Sequence, residues 1–417
     1  MAGNGLPRAV ETVVVGAGQA GLTASWHLQQ AGREHIILDR RDRLGGGWQD
    51  RWDRFRLVSP NWTASFSGFP YDGADPDGFM PRDDVVARVT RYAGVINAPV
   101  ELGTEVRRLI QTDGTAARFR VETNRGVLDA RSILVAAGGF HTPRIPAAGT
   151  TLSERVLQLH SHGYTNEAAL PPGGVLVVGS GQSGVQIAEE LHEAGRPVVL
   201  AVGHCGRMPR RYRGSDIFYW LWNLRARGEE FGTPLPSVDK LADQRLRFAC
   251  NPHVSGHGGG HETNLRRFAA GGIRLVGRLA DADDEVVRFG SDLSGNLRFA
   301  DGFFDDRFRT GVDTFIERAG IDAPPDDREP FEYEPPEVGE LDLAAERISS
   351  VIWTSGYAVD FRWIDLPIFD EAGMPRHNRG ISEVPGLTFL GLPWQLNQGS
   401  AALFGVGLDA QYLAERW

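Results

Sequence analysis

Two glycine-rich turns of one form, G-x-G-x-x-G, constrain this 417-residue chain more than any other feature. The first, residues 16–21, reads G-A-G-Q-A-G. Residues 11–15 before it are an apolar, β-branched run, which predicts a strand. Residues 22–30 behind it carry apolar side chains at helical spacing, and Gly32 closes that helix as a C-terminal cap. A second apolar strand follows at residues 35–38, with Asp39 at its end. A β-α-β unit of this form binds a dinucleotide. Gly16 permits the sharp turn out of the strand. Gly18, lacking a side chain, lets a pyrophosphate approach the backbone, and Gly21 lets helix and strand pack closely. Gln19 and Ala20 complete the turn at the helix N-terminus, whose free N–H groups and partial positive charge face the phosphates. Asp39 accepts hydrogen bonds from the ribose hydroxyls, and Arg40 beside it joins the expected cofactor-binding set.

The second unit starts with a strand at residues 174–178 and the turn G-S-G-Q-S-G, in which Gly179, Gly181, Gln182, Ser183 and Gly184 are the expected nucleotide contacts. A helix over 185–194, capped by Gly195, leads to a strand at 197–202. That strand ends without an acid, in Ala201-Val202-Gly203-His204, and Arg207, Arg210, Arg211 and Arg213 follow. A missing carboxylate removes repulsion against a 2′-phosphate, and an arginine can hold that phosphate with two parallel hydrogen bonds. The first unit therefore suits FAD and the second NADPH, with Arg207 and Arg211 as the expected 2′-phosphate partners. A solvated basic loop is the plain alternative for each of these arginines.

Composition narrows the chemistry. A formal net charge of −10 argues against a nucleic-acid partner. No apolar run is long enough to cross a membrane, and the first ten residues hold no secretory core, so a cytoplasmic protein is expected. The two cysteines, Cys205 and Cys250, are distant in sequence and read as unrelated thiols, which leaves no disulfide framework and no cysteine zinc site. Flavoproteins with two dinucleotide units pass hydride from nicotinamide to flavin. The branch that reduces disulfides needs a cysteine pair beside the flavin, so the branch that hands electrons to oxygen is favoured.

Beyond the glycine turns, the chain carries Gly45-Gly46-Gly47-Trp48 with Arg51, Trp52 and Asp53, then Leu57-Val58-Ser59-Pro60 and Phe79-Met80-Pro81-Arg82-Asp83. It also carries Val135-Ala136-Ala137-Gly138-Gly139-Phe140, Trp353-Thr354-Ser355-Gly356-Tyr357 and Phe389-Leu390-Gly391-Leu392-Pro393-Trp394. In these segments it resembles the class B flavoprotein monooxygenases, and within them the bacterial flavoproteins associated with a cation-efflux protein. The resemblance runs over nearly the whole chain. It implies that Gly47 and Trp48 lie along the flavin, that Ser59 and Asn61 fall near the isoalloxazine, and that Val106 sits in a strand pair touching the adenine. It likewise puts Gly138, Ser355, Gly356 and Tyr357 in the cofactor-binding set. Asn61 is the candidate catalytic residue, by analogy with an asparagine that bonds the oxygenated flavin; a turn-forming role between Pro60 and Trp62 stands beside that reading. The family fingerprint F-x-G-x-x-x-H is only half kept. His160 and Tyr164 match, while Glu154 and Val156 stand where Phe and Gly are expected. Tyr164 resembles the N- and S-oxygenating branch, and His160 reads as a structural histidine at the domain crossover.

The expected fold is α/β, with two dinucleotide-binding, Rossmann-like domains. An NADPH domain (residues 146–339) is inserted into a split FAD domain (1–145 and 340–417), with connections through residues 140–143 and 347–350. The aromatic stretch at 217–224 reads as a packed helix rather than a tunnel wall. The three histidines of 251–261 lie among glycines that oppose a helical metal site, so no metal is expected. The Pro- and acid-rich 324–336 reads as an exposed loop leading back to the first domain. The expected function is NADPH-dependent FAD monooxygenation through a C4a-hydroperoxyflavin, with O2 and a small-molecule nitrogen or sulfur nucleophile as partners. A homodimer is compatible with the sequence. Baeyer–Villiger oxidation of a ketone, a flavin reductase or oxidase, and a flavin-bound interaction protein are the alternatives.

Overall fold

Both glycine turns sit between a buried parallel strand and the start of a helix. The computed structural model describes residues 5–112, 118–140 and 142–417. In the first half, β1 (Ala9–Val15) leads into α1 (Gln19–Gln30) and β2 (His35–Leu38), followed by α2 (Arg82–Val95) and β3 (Val100–Glu101). A meander of β4 (Val106–Gln111), β5 (Phe119–Thr123) and β6 (Gly126–Val135) returns the chain beside β1, with Val15 level with Val135. The apolar runs of β1 and β2 are buried on both faces, as parallel strands covered by helices must be.

The chain leaves through β7 (Thr142–Pro143) and builds a second sheet from β8 (Leu157–His160), β9 (Gly174–Val178), α3 (Gln182–Glu193) and β10 (Val198–Ala201). A short hairpin, β11 (Arg211–Tyr212) with β12 (Ser215–Asp216), precedes α4 (Ile217–Phe231), α5 (Leu265–Ala270) and β13 (Arg274–Val276). Then come β14 (Leu279–Asp283), β15 (Val286–Phe289), α6 (Leu293–Phe304), α7 (Thr310–Arg318), β16 (Glu340–Asp342) and β17 (Ile348–Trp353). The return strand β18 (Tyr357–Ala358) pairs antiparallel with β7, so the two interdomain crossings lie side by side. β19 (His377–Asn378), β20 (Ile381–Ser382) and β21 (Leu387–Phe389) extend the first sheet beyond β6, and α8 (Leu403–Ala414) packs on α1.

The expected return at residue 340 is corrected. β16 pairs with β15, and β17 lies between β9 and β8 in the second sheet, whose order is β13-β10-β9-β17-β8. The second domain therefore runs through Trp353. Ile348, Val351, Ile352 and Trp353 are buried there, and the acidic loop at 324–336 stays within that domain. His141, part of the expected outgoing connection, lies outside the described residues. The first sheet is mixed rather than purely parallel, since β5 runs antiparallel to β4 and β6.

α4 packs as the sequence predicts. Ile217, Trp220 and Leu224 join Phe304, Val312 and Phe315 in a satellite core. Its other face reaches the first domain, where Arg225 Nη2 lies 2.9 Å from Asp409 Oδ1 of α8, with both side chains at most 3% exposed. Arg225 also donates to Gly405 O at 3.1 Å and to Asn397. Burial lowers the Arg225 pKa and raises that of Asp409, so each ion depends on the other to stay charged. Asp409→Ala is expected to cost about 3–5 kcal/mol in urea denaturation by stranding a buried cation, whereas the paired change Arg225→Met with Asp409→Leu costs less. A double variant as unstable as the single one would contradict this account.

Candidate cofactor and active site

The first turn is built so that only glycine fits at two positions. A Cβ on Gly16 (φ 107°) would lie 2.4 Å from Ala136 O, and one on Gly21 would lie 1.8 Å from Gly16 O. A Cβ on Gly18 meets nothing nearer than Gly46 at 3.9 Å, which leaves its backbone open. Asp39 is buried, and its carboxylate accepts from Ala17 N at 2.6 Å and Arg41 N at 2.9 Å. Gln19 ties three segments together: it accepts from Trp48 Nε1 at 3.1 Å and donates to Ala401 O at 3.1 Å. The Gly-Gly-x-Trp segment and the chain before α8 thus meet at the N-terminus of α1, next to Ala20. A methyl on Gly47 or Gly138 would touch nothing within 4 Å.

A cavity of about 460 Å³ opens beside this turn, lined by Arg40, Arg41, Asp50, Glu105, Asn124 and His162. Arg41, which lines the cavity, donates its N–H to the Asp39 carboxylate, so the cavity opens next to the end of β2. The bare backbone at Gly18, the seated carboxylate and the cavity together fit FAD.

The second turn repeats the construction. A Cβ on Gly179 (φ 111°) would lie 2.9 Å from Thr354 O, and one on Gly184 would lie 1.9 Å from Gly179 O. Thr354 Oγ1 donates to Val178 O and Gly179 O, at 2.9 and 2.8 Å, pinning the turn to the end of β17. Ser183 lies in the first turn of α3. Gly16 N donates to Leu38 O, and Gly179 N donates to Ala201 O. This register makes Val202 the counterpart of Asp39, so the end of β10 carries no carboxylate at the place where β2 carries one.

The arginine assignments change. Arg207 is largely buried and paired with Glu262 and with Asp301 Oδ1 at 2.8 Å, while Asp301 also holds Arg266 at 2.7 Å. Two carboxylates already occupy the Arg207 guanidinium, so it is corrected from a phosphate ligand to part of an internal ion network. Arg211 is exposed on the β11–β12 hairpin. The sequence reading missed Arg278, just past β13. A methyl on Gly203 would lie 3.9 Å from Arg278 Cγ, and the exposed Arg278 head is held by Asp292 at 2.6 Å. No motif marks this residue, because its place beside Gly203 comes from the pairing of β10 with β13.

The two cysteines also depart from expectation. Cys205 and Cys250, read as unrelated, meet above the second turn.

Of the residues expected near the flavin ring, Ser59 and Asn61 are engaged internally. Ser59 Oγ lies 2.7 Å from Thr63 Oγ1. The Asn61 carboxamide donates to Asp75 O at 2.9 Å and accepts from Met80 N at 2.6 Å. Both ends of the amide thus hold the loop at 75–80, which gives Asn61 a structural task.

At the crossings, Ser355 Oγ donates to Arg144 O at 2.5 Å. His160 Nδ1 accepts from His162 N at 3.1 Å, so Nε2 carries the proton and donates to Gly356 O at 2.9 Å. Burial lowers the His160 pKa. Tyr357 packs its ring against His160 and Phe140, with centroids 4.9 and 5.6 Å apart. Arg51, which the sequence reading names without giving it a role, sits over Phe140 at 5.3 Å and beside Tyr357, and its Nε has no partner.

Tyr164 is fully buried, and its hydroxyl donates to Glu190 of α3 at 2.9 Å. Desolvation raises the Glu190 pKa to about 7. The histidine-rich loop bears on the same helix: His261 lies 2.6 Å from Glu189, and His257 lies 3.0 Å from Glu193. His253 is wholly buried, which lowers its pKa to about 3.

The profile of the pyridine nucleotide-disulphide oxidoreductase family matches residues 13–221. An oxidoreductase described as CzcO-like from Geobacillus kaustophilus is 32% identical over 407 residues, covering 97% of each chain. A flavin-containing monooxygenase from Stenotrophomonas maltophilia superposes with a TM-score of 0.66 at 20% identity, covering 98% of each chain. The structure of OTEMO in complex with FAD and NADP superposes with a TM-score of 0.56 at 16% identity, over 99% of this chain and 86% of that one. Among the described residues, no helix is long and apolar enough to cross a membrane.

Two outcomes are expected. Arg278→Ala should weaken NADPH binding about tenfold and leave NADH nearly unchanged, as read from paired KM values; equal losses for both would remove Arg278 from the 2′-phosphate site. Glu190 holds a proton in the folded chain that the unfolded chain releases near pH 4.5. Its contribution to stability therefore falls as pH rises from about 4.5 to 7 and stays low above. Glu190→Gln should flatten that fall by about 1–2 kcal/mol, measured as unfolding free energy at pH 5 and pH 8.

Proposed function

Because this chain belongs to the pyridine nucleotide-disulphide oxidoreductase family, and within its fold to the class B flavoprotein monooxygenases, we propose that it oxygenates a nitrogen or sulfur nucleophile of a small molecule. It is a flavin-dependent monooxygenase that uses FAD and NADPH. When bound, FAD supplies hydride acceptance from NADPH and the activation of O2. The chain's own residues bind and orient. Gly18, Gln19 and Asp39 hold one nucleotide, and Gly181, Gln182 and Gly184 hold the other. The paired crossings at β7 and β18 set the two sites relative to one another, and the His160–Gly356 bond fixes that pair.

The observation that carries the reading is that the polar side chains of this region, the candidate Asn61 among them, are engaged with other parts of the chain. Asn61 holds a loop, His160 is neutral and bonded at both nitrogens, and Tyr164 is tied to Glu190. Oxygen transfer to a soft nucleophile asks for positioning and exclusion of water rather than a strong acid or base. Arg51 supports a second reading. It is a half-buried cation with a buried, unpartnered Nε beside Tyr357, and such a charge would stabilise the oxyanion that develops when a ketone undergoes Baeyer–Villiger oxidation.

The test is product accounting on the purified holoenzyme with NADPH, O2 and a panel of tertiary amines, sulfides and cyclic ketones. One N-oxide or sulfoxide formed per NADPH consumed is the expected result. Lactone from the ketones alone would transfer the assignment to the second reading. Hydrogen peroxide accounting for all NADPH with every compound would overturn both.

A further inference from the structure

The chain's two cysteines approach each other across 44 intervening residues of sequence, between positions 205 and 250. Cys205 follows β10 and is 3% exposed, while Cys250 is exposed at the end of a loop. Each thiol leans on the backbone next to the other. Cys205 Sγ donates to Asn251 O at 3.4 Å, and Cys250 Sγ lies 3.7 Å from His204 O. The closeness of the two thiols, with the burial of Cys205, pushes Cys205 up and Cys250 down in pKa. Cys250 is therefore the better thiolate and Cys205 the partner held in reserve.

The loop that carries Cys250 runs from the segment ahead of α8 to the second glycine turn. Near one end, Ser237 and Val238 are bonded to Asn397 and Leu396, just before α8. Near the other, Val254 exchanges two hydrogen bonds with the Gln182 side chain, at 2.9 and 3.2 Å. Between them, Cys250 Cβ lies 3.7 Å from the place a Cβ on Gly181 would occupy. Gly181 is the second glycine of the NADPH turn, bare so that a pyrophosphate can approach its N–H. Cys250 therefore stands against the bare face of Gly181 that a pyrophosphate approaches.

We propose that Cys205 and Cys250 are a peroxide-sensitive dithiol whose disulfide locks residues 237–256 over the NADPH turn and bars the cofactor. The oxidant is hydrogen peroxide, the product of NADPH oxidation by oxygen that does not end in oxygen transfer. The Cys250 thiolate attacks one peroxide oxygen, the O–O bond breaks, and hydroxide leaves. The Cys205 thiol then attacks the sulfenic sulfur and gives up its proton, and water departs as the S–S bond forms. Two thiols and one peroxide yield one disulfide and two waters. The inference rests on the NADPH site and not on which substrate is oxygenated.

The experiment titrates the holoenzyme with NADP+ by calorimetry, after reduction with dithiothreitol and after treatment with hydrogen peroxide. Accessible thiols are counted and the intact mass is measured in each state. The expected result is loss of both thiols with the mass of two hydrogens, unchanged bound FAD, and an NADP+ dissociation constant raised about tenfold, as for a site left open a tenth of the time. Dithiothreitol should reverse all of these. In Cys205→Ser and Cys250→Ser, peroxide should leave the dissociation constant where it stands in the reduced form of that variant. Separate oxidation of the two sulfurs without a disulfide would overturn the proposal, and so would a disulfide with NADP+ affinity unchanged. Should a serine variant fail to fold, the wild-type comparison decides alone. Because the titration needs no turnover, failure here and failure of the oxygenation assay are separate results.

Discussion

The structure depends on a contact that only hydrogen can make. In each turn, the third glycine rests its Cα against the carbonyl of the first, where a Cβ would stand 1.8 or 1.9 Å from the oxygen. That approach brings the start of α1 and of α3 onto the strand ends, and so aims two helix N-termini at two pyrophosphates. Everything that senses the cofactors is arranged around these points. Gln19 gathers Trp48 and Ala401 at one of them, while Thr354 braces the other.

The second constraint is that the two domains are joined by two adjacent strands. β7 and β18 pair with each other, and His160 donates across to Gly356. A hydride can pass between cofactors only at short range, so the geometry of this narrow joint governs the chemistry of both domains. Other contacts reinforce it from either side: the Arg225–Asp409 pair between α4 and α8, and Arg210 of the second domain donating to Val58 O of the first at 2.7 Å. These contacts are buried and charged, so they favour one arrangement of the domains strongly over looser ones.

Much of this was legible in the chain. Gly16 and Gly21 announce a turn because no other residue tolerates their positions, and Asp39 versus Val202 separates the two nucleotides by a single carboxylate. Residues 340–353 misled, because the polar segment ahead of β17 reads as a linker while β17 is the central pair-mate of β9 and β8. Arg207 misled because its spacing after β10 is right for a phosphate, yet Glu262 and Asp301 reach it from elsewhere in the chain. Asn61 sits in the expected loop, but the direction of its amide was set by the backbone of 75–80.

By itself the sequence determined the α/β class and the two nucleotide-binding units that go with FAD and NADPH, because these follow from local backbone requirements and strand-end chemistry. Tertiary structure alone decided which charges are free and which are already paired, where the second domain ends, that Arg278 lies beside Gly203, and that two thiols far apart in sequence touch. Each of those is a relation between segments that no local pattern encodes, since burial and distance arise only once the sheets have formed.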